Sequence, residues 1–539
     1  MKSLKSLFIV CLFGLVSVPL GQGQTPANTA DLQKQLEELR EMMEIQRKLY
    51  ESKIGDLQSQ INDLKQSPPQ APASGTVVSG DNEPILSPYA NAPSEGESRL
   101  EKTWSPTDPI RFGRGNAFLD LGMTGTLAIG GSTANDLAEL NAGGHDPGAR
   151  GFSHQGLELN LQGAVDPYFR GNANILFQLL DDGDTLLEVE EGWLETTSLP
   201  GNLQFRAGQY FSEFGRHNPT HIHAWSFVDQ PLAVSRLLGP DGLRNPGARL
   251  SWLAPTPWYT EFFLGAQNSG GGTAASFRGG GGHAHGDEEE EEEIPFGFRH
   301  SDNDRGVRSA ADMLYTARLA TSFELADTMT LLLGGSGAFG PNNSGEAGEN
   351  RTTLYGADLT WKWRSRQQRR GFPFVQLQSE FMARRFEGGG FDWDEGANLG
   401  DDDGNGFVDE GILTDPITGL PAVIAPETLS DYGLYTQLLY GFTPGWVAGA
   451  RFDYLWGQRG GYEMRGLGLA DNAGGIDPVG IDLERGSRYR ISPNLTYYPT
   501  EYSKIRLQYN YDHREEIGID HSLWLQLEMS LGAHAAHRF

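Results

Sequence analysis

From residue 117 onward the chain repeatedly alternates apolar and polar side chains. Leu157, Leu159 and Leu161 alternate with Glu158, Asn160 and Gln162; Tyr355, Ala357, Leu359, Trp361 and Trp363 alternate with Gly356, Asp358, Thr360 and Lys362. The same rhythm sets Ile505, Leu507, Tyr509 and Tyr511 against Lys504, Arg506, Gln508 and Asn510. It also sets Leu523, Leu525, Leu527, Met529 and Leu531 against Gln526, Glu528 and Ser530. Successive side chains of a strand point to opposite faces, so these segments are one-sided strands. Marking every such segment between Ala117 and Phe539 predicts about 16 strands, the last ending at Phe539. That number lies in the even-numbered range of bacterial outer-membrane barrels.

The connections test this expectation independently. Gaps near Asp166-Pro167, Leu199-Pro200-Gly201, Pro255-Thr256-Pro257, Asp327, Thr443-Pro444-Gly445 and Tyr498-Pro499 are short, whereas those around 132–150, 215–246, 268–311, 385–429 and 457–486 are long. Short turns on one rim and long loops on the other are the barrel rule, with the short turns in the periplasm. Trp258, Tyr259, Trp361, Trp363, Phe442, Trp446, Tyr497 and Tyr498 flank the short turns and predict an interfacial aromatic girdle. A soluble β-sandwich does not require this loop asymmetry. The expected fold is therefore all-β, a transmembrane antiparallel β-barrel over residues 110–539.

A different periodicity precedes it. Between residues 31 and 66, Leu32, Leu36, Leu39, Met43, Gln46, Tyr50, Ile54, Leu57, Ile61 and Leu64 follow a heptad spacing with one stutter. This predicts an N-terminal α-helical coiled coil roughly 50 Å long at about 1.5 Å per residue. A seam so narrow buries nothing without a partner, so a homo-oligomer is expected, with a trimer as the natural guess. Residues 67–108 are rich in Pro, Ser, Gly and Asn, as in a flexible linker. Residues 1–23 read as a secretory signal peptide: Lys2 and Lys5, an apolar stretch from Leu7 to Leu20, then Gly21, Gln22 and Gly23. The single cysteine, Cys11, lies inside that stretch, so the mature chain is expected to carry no thiol. The expected location is the bacterial outer membrane with a periplasmic N-terminal region, in contact with membrane lipid and the barrel-assembly machinery.

Composition narrows the function classes. The 539 residues include 71 Gly, 18 Tyr and 11 Trp and carry a formal net charge of −29. Such acidity argues against a nucleic-acid partner, which needs basic groups against phosphates. Much of the acid falls in two local runs, so it describes loops more than the whole. No nucleophile, base and oxyanion donor fall on neighbouring positions, so no enzyme is expected.

The segment EEGWLETTSLPGNLQFRAGQYFSEFGRHNPTHIHAWSFVDQPLAVSRLLGPDGLRNPGARLSWLAP, residues 190–255, and the ending from Ser530 through His534 and His537 to Phe539 resemble a family of zinc-regulated outer-membrane proteins. More loosely, residues 110–539 resemble the phosphate-selective porins O and P. The resemblance implies a porin-like barrel and points to zinc. A TonB-dependent receptor needs about 22 strands around a folded plug, and the chain provides neither.

Two acidic segments suggest cations. Asp401, Asp403, Asn405 and Gly406, followed by the Phe407 carbonyl and Asp409, reproduce the start of an EF-hand-type loop, so Ca2+ is expected within residues 401–410. Ile412 stands where the bidentate glutamate belongs, and a solvated acidic loop tip is the alternative. His283 and His285 point the same way in extended chain and run into Glu288 to Glu293, which suggests Zn2+ at residues 283–293 or simply a charged loop in solvent. No cofactor is required.

Two groups bear on a pore. Inward strand positions include Arg206, Arg249, Arg318, Arg451, Arg488, Arg490, Lys504 and Arg506, opposed by carboxylates such as Glu380 and Asp453. The bases concentrate on the thirteenth to fifteenth barrel strands, where they form either a basic wall favouring anions or an internal salt-bridge lattice. The connection after the fifth barrel strand holds Arg216, His217, His221 and His223 beside Phe227, Leu232, Leu237 and Leu238. So apolar a loop packs against something, and folding into the lumen as a constriction is the expectation. Hydrogen-bonded structural roles are favoured for its histidines over metal ligation. The functions in competition are a channel for small hydrophilic solutes such as anions or metal ions, a zinc-binding uptake protein using the His/Glu loop, and a non-conducting barrel anchoring a periplasmic coiled-coil tether.

Overall fold

The computed structural model describes residues 110–532 except 115–116, 136, 142, 180–184, 279–305, 345–349, 393–422, 425, 459–468, 471–475, 478–485 and 516. The expected signal peptide, coiled coil and linker, both proposed cation loops and residues 533–539 lie outside the described residues. The chain divides into two units, Met1–Arg99 and Leu100–Phe539, and the second holds all the described residues.

Its main strands are β1 (Ile110–Arg114), β2 (Ala117–Ser132), β3 (Gly151–Ala164), β4 (Phe169–Leu179), β5 (Thr185–Thr196), β6 (Leu203–Phe211), β7 (Arg244–Leu253), β8 (Thr260–Asn268), β9 (Met313–Ala326), β10 (Met329–Pro341), β11 (Arg351–Arg369), β12 (Phe372–Gly388), β13 (Glu427–Thr443), β14 (Trp446–Gly457), β15 (Arg488–Thr500), β16 (Ser503–Arg514) and β17 (Gly518–Leu531). From β2 to β17 each strand pairs antiparallel with the next, and β17 returns to β2 in a register running from Met123 opposite Leu531 to Ser132 opposite Ser522. The result is a closed barrel of 16 strands.

The described part of the last strand ends at Leu531, so the expected ending at Phe539 lies outside the described residues. Beyond the stretch of β2 paired with β17, its edge is taken by β1. There Ile110 faces Leu121 and Arg114 faces Ala117, and Arg111 grips Asp120 through two hydrogen bonds of 2.6 and 2.7 Å. The alternation along the chain does not announce this hairpin.

Alternation sorts side chains between the two faces of the wall. On β17, Met529 is 64% exposed while Gln526 is 1% exposed. On β16, Ile505, Leu507 and Tyr509 are exposed while Arg506, Gln508 and Asn510 are buried. An apolar exterior around a polar interior costs free energy in water and is stable only where hydrocarbon covers the outside, so the strands span a membrane. The rim of short turns includes Gly445 at φ 84°, where a Cβ would approach the Tyr498 carbonyl oxygen to 2.9 Å. Trp258, Tyr259, Phe442 and Trp446 are exposed near this rim, and Trp446 stacks on Tyr497 with centroids 4.6 Å apart. A second aromatic group, outside the expected girdle, lies toward the other rim: Trp456 stacks on Tyr432 at 5.4 Å and on Tyr454 at 5.0 Å.

Candidate functional site

Residues 212–243, joining β6 to β7, fold back into the barrel. Their centre is the short helix α1 (Leu232–Leu238). Pro231 precedes it, where a missing N–H costs nothing, and Gly239 at φ 109° ends it. Phe214, Val234, Leu237, Leu238 and Leu243 are buried against Leu314, Leu354, Met382 and Tyr435 of the wall, and Leu232 and Ala233 pack on Leu455. Each large apolar side chain so buried contributes about 1.5–3 kcal/mol relative to exposure. The apolar composition that sets this loop apart in the sequence is thus the part that packs against the wall.

Polar contacts fix its position. Asp229 sits among Arg451 at 3.0 Å, Arg490 at 2.5 Å and Gln508 at 2.6 Å. Burial pushes its carboxyl up, but the two guanidiniums outweigh that and hold it below the ordinary carboxylate range. Arg506 donates to the carbonyls of Trp225 and Phe227, both at 2.8 Å. Lys504 donates to the His223 carbonyl at 2.9 Å and pairs with Glu528 at 2.6 Å. Arg451 also pairs with Asp453 at 2.7 Å, and Arg488 and Arg490 share Asp512 at 2.9 and 2.6 Å. Among the basic side chains of β14–β16, Arg451, Arg490, Lys504 and Arg506 grip the inward loop, while Arg488 and Arg490 hold the Leu140 carbonyl.

The remaining inward residues are paired as well. Arg206 and Arg249 converge on Glu195 at 2.6 and 2.9 Å, and Arg318 meets Asp358 at 2.6 Å. Glu380 accepts the His217 backbone N–H at 2.6 Å and the Tyr435 hydroxyl. The four loop residues expected at the constriction are not one cluster. Arg216 and His217 border a chamber on the short-turn side, whereas His221 and His223 reach the carboxylates of Glu190, Glu191 and Glu158. The His217 ring lies against Trp225 at 5.3 Å and Tyr435 at 6.2 Å; burial, with Arg451 adding to it, pushes its imidazole down to about 3. Burial would lower His221 too, but Glu190 and Glu191 hold that ring well above the ordinary histidine range.

The chamber has a volume of about 1430 Å³, between residues 216–226 of the inward loop and the short turns at Gly371, Gly445 and Glu501. Arg216, Lys362, Arg364 and Arg370 border it, with Glu501 the acidic side chain among its lining residues. Neither Lys362 nor Arg364 stands among the pore residues expected from the sequence. Asp229 is also missing from them, although a lone carboxylate between Val228 and Gln230 in an apolar loop, facing a row of inward arginines, is a legible signal.

This arrangement defines a class: a transmembrane barrel of 16 strands with a polar lumen narrowed by an inward loop. No protein-family model matches the chain, so the likeness to zinc-regulated proteins stays a resemblance. An uncharacterized protein of Aquifex aeolicus strain VF5 is 29% identical over 416 residues, covering 74% of this chain and 73% of that protein. Among solved structures, the outer-membrane channel DcaP of Acinetobacter baumannii aligns at 12% identity and TM-score 0.44, over 77% of this chain and 98% of that one. An anion-selective porin from Comamonas acidovorans aligns at 7% identity and TM-score 0.43, over 77% and 100%. OprB of Pseudomonas putida aligns at 11% identity and TM-score 0.41, over 77% and 94%.

Proposed function

We propose that the chain is an outer-membrane channel for small hydrophilic solutes, with a preference for anions set by the chamber beneath the inward loop. The observation that carries this reading is the lining of the 1430 Å³ chamber by Arg216, Lys362, Arg364 and Arg370 against Glu501. In a low-dielectric tube of this kind an excess of one sign raises the local concentration of the opposite ion. The barrel rule puts the short-turn rim, and so the chamber, on the periplasmic side.

The test is reconstitution of the purified full chain in planar bilayers under a potassium chloride gradient. Stepwise conductance with a reversal potential on the chloride side is expected. A barrel that inserts and never conducts ends the channel reading, and a potassium-side reversal potential ends the anion preference.

A further inference from the structure

Glu158 on β3, Glu190 on β5 and His221 on the inward loop bring one potential ligand atom each to within 4.8 Å of one another. His221 Nδ1 lies 3.1 Å from Glu190, and its Nε2 lies 3.1 Å from Glu191. His223 Nδ1 is hydrogen-bonded to Glu158, and its ring stacks on that of His221 at 5.8 Å with a 5° interplanar angle. The surroundings are an imidazole pair facing three carboxylates.

Two irregularities in the wall create this crowding. The β4–β5 register passes from Asn174 opposite Glu191 to Ile175 opposite Val189, so Glu190 is an extra residue and two consecutive glutamates reach the same histidine. The β2–β3 register skips Gln155 in the same way, passing from Gly156 to His154, three residues before Glu158. A bulge re-aims side chains that strict alternation sends to opposite faces.

A second observation points to a ligand. Glu158 is 3% exposed, and its Oε1 is buried with no hydrogen-bond partner among the described residues. A carboxylate oxygen left so costs the free energy of its lost hydration unless a cation or donor meets it. Of the neighbouring cations, His145 lies 3.4 Å from Glu190 Oε1, while Lys504 pairs with Glu528 at 2.6 Å and Arg244 with Glu188.

We propose that Glu158, Glu190 and His221, with His223 holding Glu158, form a binding site for a divalent transition ion of the zinc class, which fastens the inward loop to β3 and β5. Mixed imidazole and carboxylate donors suit zinc, whereas calcium takes oxygen donors. Zinc bonds of about 2.0–2.1 Å set tetrahedral donors roughly 3.3 Å apart, close to the 3.1 Å between His221 and Glu190. With the metal on Nδ1, the Nε2–H of His221 donates to Glu191, which holds the ring in place. None of its ligands belongs to the His/Glu segment at residues 283–293, and the site does not depend on whether the barrel conducts.

The test uses detergent-solubilised full chain and a variant lacking residues 282–293, both stripped with chelator and titrated with zinc chloride. One tight equivalent is expected in both, with a rise in thermal midpoint on zinc addition because the ion binds the folded state. In the shortened chain, Glu158→Gln or His221→Asn is expected to weaken binding at least tenfold and abolish that rise. Wild-type affinity in both substituted chains, or no tight zinc in the shortened chain, overturns the proposal. Should the substituted chains fail to fold, X-ray absorption of the zinc-loaded shortened chain decides: imidazole scattering supports the site, and oxygen ligands alone overturn it.

Discussion

Arg490 Nη1 lies 2.5 Å from Asp229 Oδ2, joining β15 to the centre of a loop 261 residues earlier. The same carboxylate receives Arg451 at 3.0 Å, so one side chain of the loop bridges two adjacent strands of the wall. Removing one partner of a buried ion pair leaves the other charges uncompensated, at about 3–5 kcal/mol. Asp453 and Asp512 still partner the two arginines, which puts Asp229→Ala near the lower end. The variant is expected to unfold at lower temperature and to carry a larger, noisier single-channel current as the loop undocks. Unchanged melting together with unchanged current would show that Asp229 does not hold the loop.

Helix α1 approaches β13 closely at Gly433, where an added Cβ would lie 2.6 Å from Ala233 Cβ and 3.0 Å from its Cα. Neither is the flexible end of a long side chain, so the helix itself has to move. Gly433→Val is therefore expected to cost about 1–3 kcal/mol by overpacking and to expose the Arg236 peptide bond. Limited trypsin digestion checks this: a new cleavage after Arg236 in the folded barrel is the expected result, and wild-type resistance would contradict the close approach.

Much of this organisation is legible in the sequence because a period of two is a direct image of a strand with two different faces. Arg451 and Asp453 announce the lumen by alternating with Phe452 and Tyr454, and Phe227, Leu232 and Leu237 mark a connection too apolar to lie in water. The features that escape such a reading have definable causes. Glu190 and Glu191 share a partner only because a bulge suspends the alternation between them. Strand β1 has five residues, too few to show a period. The pairing of Asp229 with Arg490 depends on how far the loop penetrates, which no local pattern specifies.

His217 gives the loop a pH dependence of known sign. Its imidazole falls from the ordinary 6.5 to about 3 in the folded protein, so the neutral ring's contribution is complete above pH 6.5 and is lost as pH falls toward 3. The loss is at most about 1.4 kcal/mol per pH unit across that window. Between pH 7 and pH 4 the denaturation midpoint of His217→Gln is expected to lose less, or gain more, than that of the native chain. An identical slope in that variant would assign the acid sensitivity to other groups.

Lys362 and Arg364 project from β11 into the chamber, two of its four basic lining side chains. If they set the ionic preference, reversing both changes the lining from four bases and one acid to two bases and three acids, enough to invert the local field. Lys362→Glu with Arg364→Glu is therefore expected to move the reversal potential under a potassium chloride gradient from the chloride toward the potassium side while leaving barrel assembly intact. The companion change Arg318→Gln, which removes a base engaged with Asp358 at 2.6 Å, is expected to lower stability and leave selectivity nearly as it was. The opposite ranking, selectivity following Arg318 and indifferent to Lys362 and Arg364, would return the determinant to the barrel wall.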